Sequence, residues 1–287
     1  MSDLKEEAVS DQRPRSEFTD VDHAQSPADY VHMLDAQQSV PFIQQYKQRV
    51  RTLLDLHPGQ QVLDAGTGTG EDAQEVAKLV APGGQAVGLD VSQIMIDEAK
   101  HRLQDRSLPL RFVQGDIQHL PFETAIFDRC YADRIFIHLP DPRAALAELV
   151  RVTRPGGLIL LAEGDHETQV LDTPYPEVTR RFFRFRNDGM RQPGIAHRLY
   201  GLFQEVGLED VQVEPLARLT TDYEMIRPVA HYIEGMRTAQ SCGVVTAEEA
   251  EQWILFLEEA MRTGRFFHAI MWFITMGRKS QREHGVV

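Results

Sequence analysis

The sequence predicts an α/β fold. The expected form is a doubly wound, mostly parallel seven-stranded sheet with a late antiparallel strand. N-terminal helices and C-terminal insertions supply a helical lid. Three observations predict it. From Gln61 to Gly164, short apolar runs alternate with helical stretches, the order that builds a parallel sheet with helices on both faces. Glycine-rich turns, "GTGTG", "PGG" and "RPGG", punctuate that alternation. With 287 residues and 42% hydrophobic content, the chain is long and apolar enough to bury a full core.

Residues 1–24 are polar and lack periodicity, so a mobile arm is expected there. Residues 25–60 read as N-terminal cap helices. Ser26 and Pro27 suit an N-cap and first helical position for "ADYVHMLDAQ". After Pro41, Ile43, Tyr46, Val50, Leu53 and Leu54 repeat at helical spacing, and "HPGQ" closes the helix with a turn. The core spans 61–165. Its strands are "QVLDA" (61–65), "QAVGLD" (85–90), "LRFVQGD" (110–116), "IFDRCYA" (126–132) and "LILLAEG" (158–164). Between them lie the helices "EDAQEVAKLV" and "QIMIDEAKHRLQ", and one capped by Asp141 with Pro142 first. Residues 166–280 carry the remaining strands, with lid insertions at about 166–205 and 224–263. "RLYGLFQEVGL" is a helix stopped by Gly207, and "EDVQVEPLARL" is a strand. Thr246 to Glu249 form a capping box whose helix aligns Ala250, Trp253, Ile254, Leu257 and Met261 until Gly264. The last strand falls near 266–276. Its aromatics Phe266, Phe267, Trp272 and Phe273, with Phe256 before them, read as core.

Composition narrows the function. The N-terminus "MSDLKEEAVSDQRPRSEF" has no apolar core and is not a secretory signal. The longest apolar run, "FFHAIMWFITM", is too short to span a bilayer. Cys130 and Cys242 are far apart, so no metal site or disulfide framework is expected, and a reducing cytoplasm fits. A formal net charge of -13 disfavours a nucleic-acid partner without excluding a local basic patch.

In an open parallel sheet, ligands bind at the carboxyl ends of the strands. Asp64, Asp90 and Asp116 end the first three strands. A carboxylate after the second strand can accept from both ribose hydroxyls, and one after the third from an adenine amine. Gly66, Gly68 and Gly70 let backbone approach a ligand closely. The dinucleotide fingerprint G-x-G-x-x-G needs a glycine at position 71, where Glu71 stands. Glu71 and Asp72 would repel a pyrophosphate at that helix N-terminus. S-adenosylmethionine, with a sulfonium, an ammonium and no phosphate, suits this acidic rim better.

"VLDAGTGTG", "GLDVS", "QGDIQHLPF", "FDRCYA…HLPDP" and "LVRVTRPGGLILLAEGD" follow in order. With these motifs the sequence resembles the Rossmann-like (class I) S-adenosylmethionine-dependent methyltransferases, and among them the ubiquinone/menaquinone-type and natural-product-tailoring branch. The resemblance covers roughly 61–165. It implies that Asp64, Gly66, Thr67, Gly68 and Gly70 cradle the methionine part, and that Asp90 and Val91 meet the ribose. Met95, or Ile94, packs on the adenine, and Asp116 and Ile117 hold its edge. Tyr131 to Arg134 approach the methionine part and the substrate.

Several positions keep two readings. His138 suits a general base or a packing histidine. Asp165 and His166 touch substrate or sit in a solvated loop. Tyr30 closes over the cofactor or packs in the core. "RRFFRFRNDGMR" (180–191) reads as an amphipathic lid helix or as an anion- or nucleic-acid-binding patch; in between, one arginine could hold a substrate carboxylate. The function expected is methyl transfer to a small, partly apolar molecule. The alternatives are an RNA or protein methyltransferase, or a non-catalytic cofactor-binding protein. Oligomeric state is left open.

Overall fold

A computed structural model describes residues 21–23, 26–38 and 40–281. Strands β1 (Gln61–Ala65), β2 (Gln85–Asp90) and β3 (Leu110–Gln114) are parallel, in the order β3-β2-β1. On the other side of β1 lie β4 (Phe127–Asp133) and β5 (Thr153–Gly164), also parallel. Strand order therefore reverses between β1 and β4, which makes their carboxyl ends the natural crevice. The late antiparallel strand is β8 (His268–Arg278). One of its edges carries β7 (Glu209–Thr220) along its length. The other pairs with β5 over Trp272–Arg278 and with the two-residue β6 (Val170–Leu171) over His268–Ala269. Among the described residues the sheet thus has eight strands rather than seven, because β6 continues the line of β5 after a short turn. Strand β5 also begins before the expected position. "RPGG" lies within it, and Thr153 already pairs with Phe127.

Alternation along each strand sends neighbours to opposite faces. Leu63, Cys130 and Leu161 join one core cluster, and Val62, Tyr131 and Leu160 join the other. Helix α2 (Pro41–Leu54) and helix α3 (Glu71–Val80) cover the second face through Tyr46, Leu54, Val76 and Val80. Helix α5 (Pro142–Val152) covers the first. Its cap is the expected one: the Asp141 carboxylate accepts from the N–H groups of Arg143 and Ala144, both at 3.0 Å. Helix α4 (Gln93–Arg102) is capped by Ser92, whose hydroxyl accepts from Met95 N at 3.1 Å.

Helix α7 (Ile195–Glu205) corrects the expected lid boundary. It puts Ile195, Leu199 and Phe203 into the first sheet-face core, so 195–205 belongs to the sheet layers. The lid proper is a third cluster, contributed by α6 (Pro176–Asp188), α9 (Tyr232–Ser241) and α10 (Ala247–Arg262). It buries Phe182, Phe183, Phe185, Tyr232, Trp253 and Leu257, each worth about 1.5–3 kcal/mol of apolar burial. The phenylalanines of "RRFFRFR" therefore face inward, as expected of an amphipathic lid helix. Trp253 Nε1 donates to Thr179 Oγ1 at 2.9 Å, tying α10 to α6. The capping box at Thr246 is present in full.

Helix α1 (Pro27–Gln38) crosses above the sheet and touches the short α8 (Arg227–Ala230) of the lid. None of its residues is fully buried, because its inner face borders a cavity rather than a core. The expected polar arm lies outside the described residues except for Val21–His23. Val21–His23 form a 3-10 turn whose Asp22 carboxylate accepts from Gln93 N at 2.8 Å and Ile94 N at 3.3 Å. No described helix is long and apolar enough to cross a membrane.

Candidate active site

A cavity of about 1170 Å³ lies between the carboxyl ends of the strands, α1 and the lid. One half is built by strand ends. After Asp64, the chain turns through Gly66 (φ +88) and Gly68 (φ +53). Gly66 N and Thr67 N donate to Leu89 O at 2.7 and 2.9 Å, which pins the loop over β2. A Cβ on Gly66 would stand 2.2 Å from Ile135 Cδ1, so glycine is required both by φ and by this close approach. Asp90 completes the loop. One carboxylate oxygen accepts from Gly68 N at 2.9 Å, the other from Ser92 N at 3.0 Å. Burial raises its pKa. A carboxylate has about four acceptor positions, so capacity remains for a diol. Asp116 accepts from Gln118 N at 2.8 Å.

Asp64 is buried and accepts from Thr67 Oγ1 at 2.8 Å. Burial, reinforced by Asp72, pushes its pKa up to about 7. The rest of the acidic rim is less free than its sequence suggests. Glu71 pairs with Arg102 at 2.8 Å and accepts from Thr69 Oγ1 at 2.7 Å. Asp72 is held by Lys47 and by Arg51 at 3.0 Å. Asp64, like Asp90, therefore has no ion-pair partner among the described residues, whereas Glu71 and Asp72 do.

The cavity wall includes Tyr30, Asp64, Gly66, Thr67, Gly68, Asp90, Val91, Met95, Asp116, Ile117, Arg134 and His138 of the expected site residues. Three others do not reach it. Gly70 caps α3 in a left-handed conformation (φ 84), where a Cβ would strike Phe112 and Ala99. Tyr131 points into the α2–α3 core face beside Lys47 and Asp72. Asp165 has no exposed surface; its carboxylate accepts from Glu167 N at 3.1 Å and binds the His197 ring at 2.5 Å. Its neighbour His166 does line the cavity.

The strip Asp64, Gly66–Gly68, Asp90–Val91, Met95 and Asp116–Ile117 runs across the ends of β1, β2 and β3. That order offers an anion for an ammonium, glycines beside a narrow passage, a carboxylate for a diol, and an apolar wall with a terminal acceptor. These residues fit S-adenosylmethionine from its amino-acid tail to its adenine.

The other half of the cavity is built from distant segments. At the end of β4, Arg134 adopts a left-handed conformation (φ 58) and its N donates to Ala162 O at 2.9 Å. Such strain costs about 1 kcal/mol. It directs the guanidinium between Asp133, at 3.2 Å, and Gln37 of α1. Glu163, near the end of β5, accepts from Phe136 N at 2.6 Å; burial drives its pKa to about 8. Burial also lowers His138 to about 4, with Arg134 and Arg191 adding to the shift. His166 falls to about 3 through burial, then Arg186 and Arg218. Tyr232 and Trp272 complete this wall. Sequence reading missed Glu163, Arg218, Gln37 and Trp272 as cavity residues. Glu163 left a signal, a lone acid in the apolar run "LILLAEG"; Arg218 left none beyond one cation in an alternating strand.

A family described as a methyltransferase domain matches residues 63–161. The chain is 32% identical over 252 residues to an uncharacterized 37.1 kDa protein in transposon TN4556 of Streptomyces fradiae, covering 87% of this chain and 71% of that one. It is 26% identical over 201 residues to a demethylmenaquinone methyltransferase of Bacillus cereus, covering 63% and 84%. Among solved structures it resembles Haemonchus contortus phosphoethanolamine N-methyltransferase 2 in complex with S-adenosyl-L-methionine. There the TM-score is 0.60 at 16% identity, over 93% of this chain and 60% of that one.

Proposed function

The chain belongs to the class I, Rossmann-like S-adenosylmethionine-dependent methyltransferases, and from that premise we propose that it methylates a small, partly apolar molecule. The observation that carries the proposal is the cavity itself. Beyond the cofactor strip it continues under a roof formed by α1, α6, α8 and α9, a space suited to a small acceptor rather than to a polymer.

S-adenosylmethionine supplies an electrophilic methyl group on a sulfonium. The residues on this chain bind and align. In this reading Asp90 accepts from the ribose, Asp64 meets the ammonium, and Met95 with Ile117 forms the apolar wall at the adenine. Helix α1, with Tyr30 and Gln37, closes the space against water. Positioning of this kind can supply roughly 7–11 kcal/mol of the barrier. His138 has low basicity at its raised burial, so it serves better as a wall residue than as a proton acceptor. The acceptor is then expected to arrive as a competent nucleophile.

The test is calorimetric titration of the protein with S-adenosylmethionine and, separately, NAD, followed by a screen of small acceptors for turnover. Binding of the first alone, with turnover of a small molecule, supports the reading. Turnover only on RNA or protein would replace it. His138→Gln then separates the two roles: a base would lose about 10²–10⁴ in kcat, a wall residue only a fewfold.

A further inference from the structure

Many arginines among the described residues are ion-paired. Arg102 holds Asp35, Glu71 and Glu98; Arg49 holds Glu214; Arg154 holds Asp128; on the lid, Arg181 holds Glu249. Arg186 and Arg218 are exceptions, and both line the cavity. Among the described residues, neither has a carboxylate within ion-pair distance.

Their surroundings hold them in place without neutralising them. The Arg186 guanidinium lies 5.0 Å from the Tyr232 ring centre and 5.6 Å from that of Phe182, and Nη1 donates to Ala230 O. Arg218 comes from β7, far along the chain, and stands 6.0 Å from the Trp272 ring. Its Nε is buried with no hydrogen-bond partner, as is Trp272 Nε1. Burial lowers the pKa of both arginines, the mark of charges taken from water. A guanidinium so desolvated and unpaired is costly unless something returns the lost hydrogen bonds.

Among the described residues, no nearby carboxylate neutralises either one. Asp133 is engaged by Arg134 and Tyr46. Glu163 is buried and favours its neutral form at neutral pH. Glu234 lines the cavity but sits on the exposed side of α9. Arg191 adds a further positive charge at the wall. His166 and His268, both within the influence of Arg186 and Arg218, are held neutral, so they add no cation but offer polar ring nitrogens. The acceptor half of the cavity is thus basic inside an acidic protein.

We propose that Arg186 and Arg218 form an anion-binding subsite, and that the methyl acceptor carries a carboxylate or phosphate group held by their forked N–H donors. This rests on the methyl-transfer reading above. The apolar surfaces of Phe185, Met190 and Trp272 would then face the rest of the acceptor.

The experiment uses the full chain saturated with S-adenosylhomocysteine. Four probes sharing one ring are titrated calorimetrically: benzoate, phenyl phosphate, benzyl alcohol and benzylammonium. Benzoate or phenyl phosphate is expected to bind with Kd of about 1 mM or tighter, and benzyl alcohol at least roughly tenfold more weakly. Whichever anion binds more tightly names the group. Arg218→Gln and Arg186→Gln are each expected to weaken the anion by roughly ten- to a hundredfold while S-adenosylhomocysteine affinity stays within about twofold. Arg218→Lys, which keeps the charge, recovers part of the loss. Because Arg186 also ties down Ala230, the Arg218 variants decide the matter if Arg186→Gln disturbs the lid. Equal affinity for charged and neutral probes, or no anion binding by the wild type, overturns the proposal. So does anion binding unaffected by the variants. Loss of S-adenosylhomocysteine binding in Arg218→Gln would assign the arginine to the cofactor instead and also overturn it. A wild-type protein that binds no S-adenosylhomocysteine defeats the methyl-transfer reading as well.

Discussion

The two halves of the cavity differ in sign, in origin and in how they hold their charges. The cofactor half presents carboxylates at strand ends, all between Asp64 and Asp116, each fixed by backbone N–H groups or by a hydroxyl a few residues away. The acceptor half presents arginines and neutral histidines from β4, α6 and β7 and from the loop after β5, fixed by aromatic rings and by contacts between remote segments. A local loop can be specified by a short motif and reused. A wall assembled from separate elements can change with each lid. The contrast explains how one cofactor site can serve different acceptors.

The largest expected effect tests the acidic half. Asp90→Ala removes the proposed ribose acceptor and also the anchor of Gly68 N and Ser92 N. S-adenosylmethionine affinity should fall by at least roughly a hundredfold, about 3 kcal/mol, in calorimetry. Arg218→Gln should leave that affinity alone; if both variants lose it equally, the division into halves fails. Next, Gly66→Ala forces a left-handed residue against Ile135. It should lower unfolding free energy by about 1–3 kcal/mol in denaturant titration, with weaker cofactor binding. An unchanged midpoint would show that the loop relaxes freely.

Titration sharpens the comparison further. Asp64 sits near pKa 7 in the free protein, and an ammonium ligand favours its ionised form. Cofactor affinity should therefore rise by about fivefold from about pH 6 to about pH 7, with proton release visible in buffers of differing ionisation heat. Stability should respond to the buried acids and to the buried histidines in opposite directions. Asp64 and Glu163 have raised pKa values, so the native state keeps protons that the unfolded chain releases; their contribution falls as pH rises from about 4 to 8. His138, His166 and His268 have lowered values, so the unfolded chain binds protons that the native state does not; their contribution rises with pH from about 3 to 6.5. Between about pH 7 and 8 the histidines are largely neutral in both states, so Asp64 and Glu163 should leave a fall of order 1 kcal/mol per pH unit there. Glu163→Gln should flatten the alkaline side in thermal unfolding scans; if that side does not change, the buried acid is not the cause.

By itself the sequence determined the alternating core, the strand boundaries at β1 and β2, the caps at Asp141 and Thr246, and the glycines and acids that follow those strands. Those features rest on residues within a few positions of one another, where hydrogen bonding, backbone φ and hydrophobic period act locally. It determined the inward aromatic face of α6 for the same reason. Only the tertiary structure decided that α7 joins the sheet rather than the lid, that Tyr131 and Asp165 turn away from the cavity, and that Glu71 and Asp72 are already paired. It alone brought Arg186 and Arg218 to the same cavity, around Tyr232 and His166. Each of those outcomes depends on which remote side chains share a buried volume, and burial and pairing belong to that shared volume rather than to any segment of the chain.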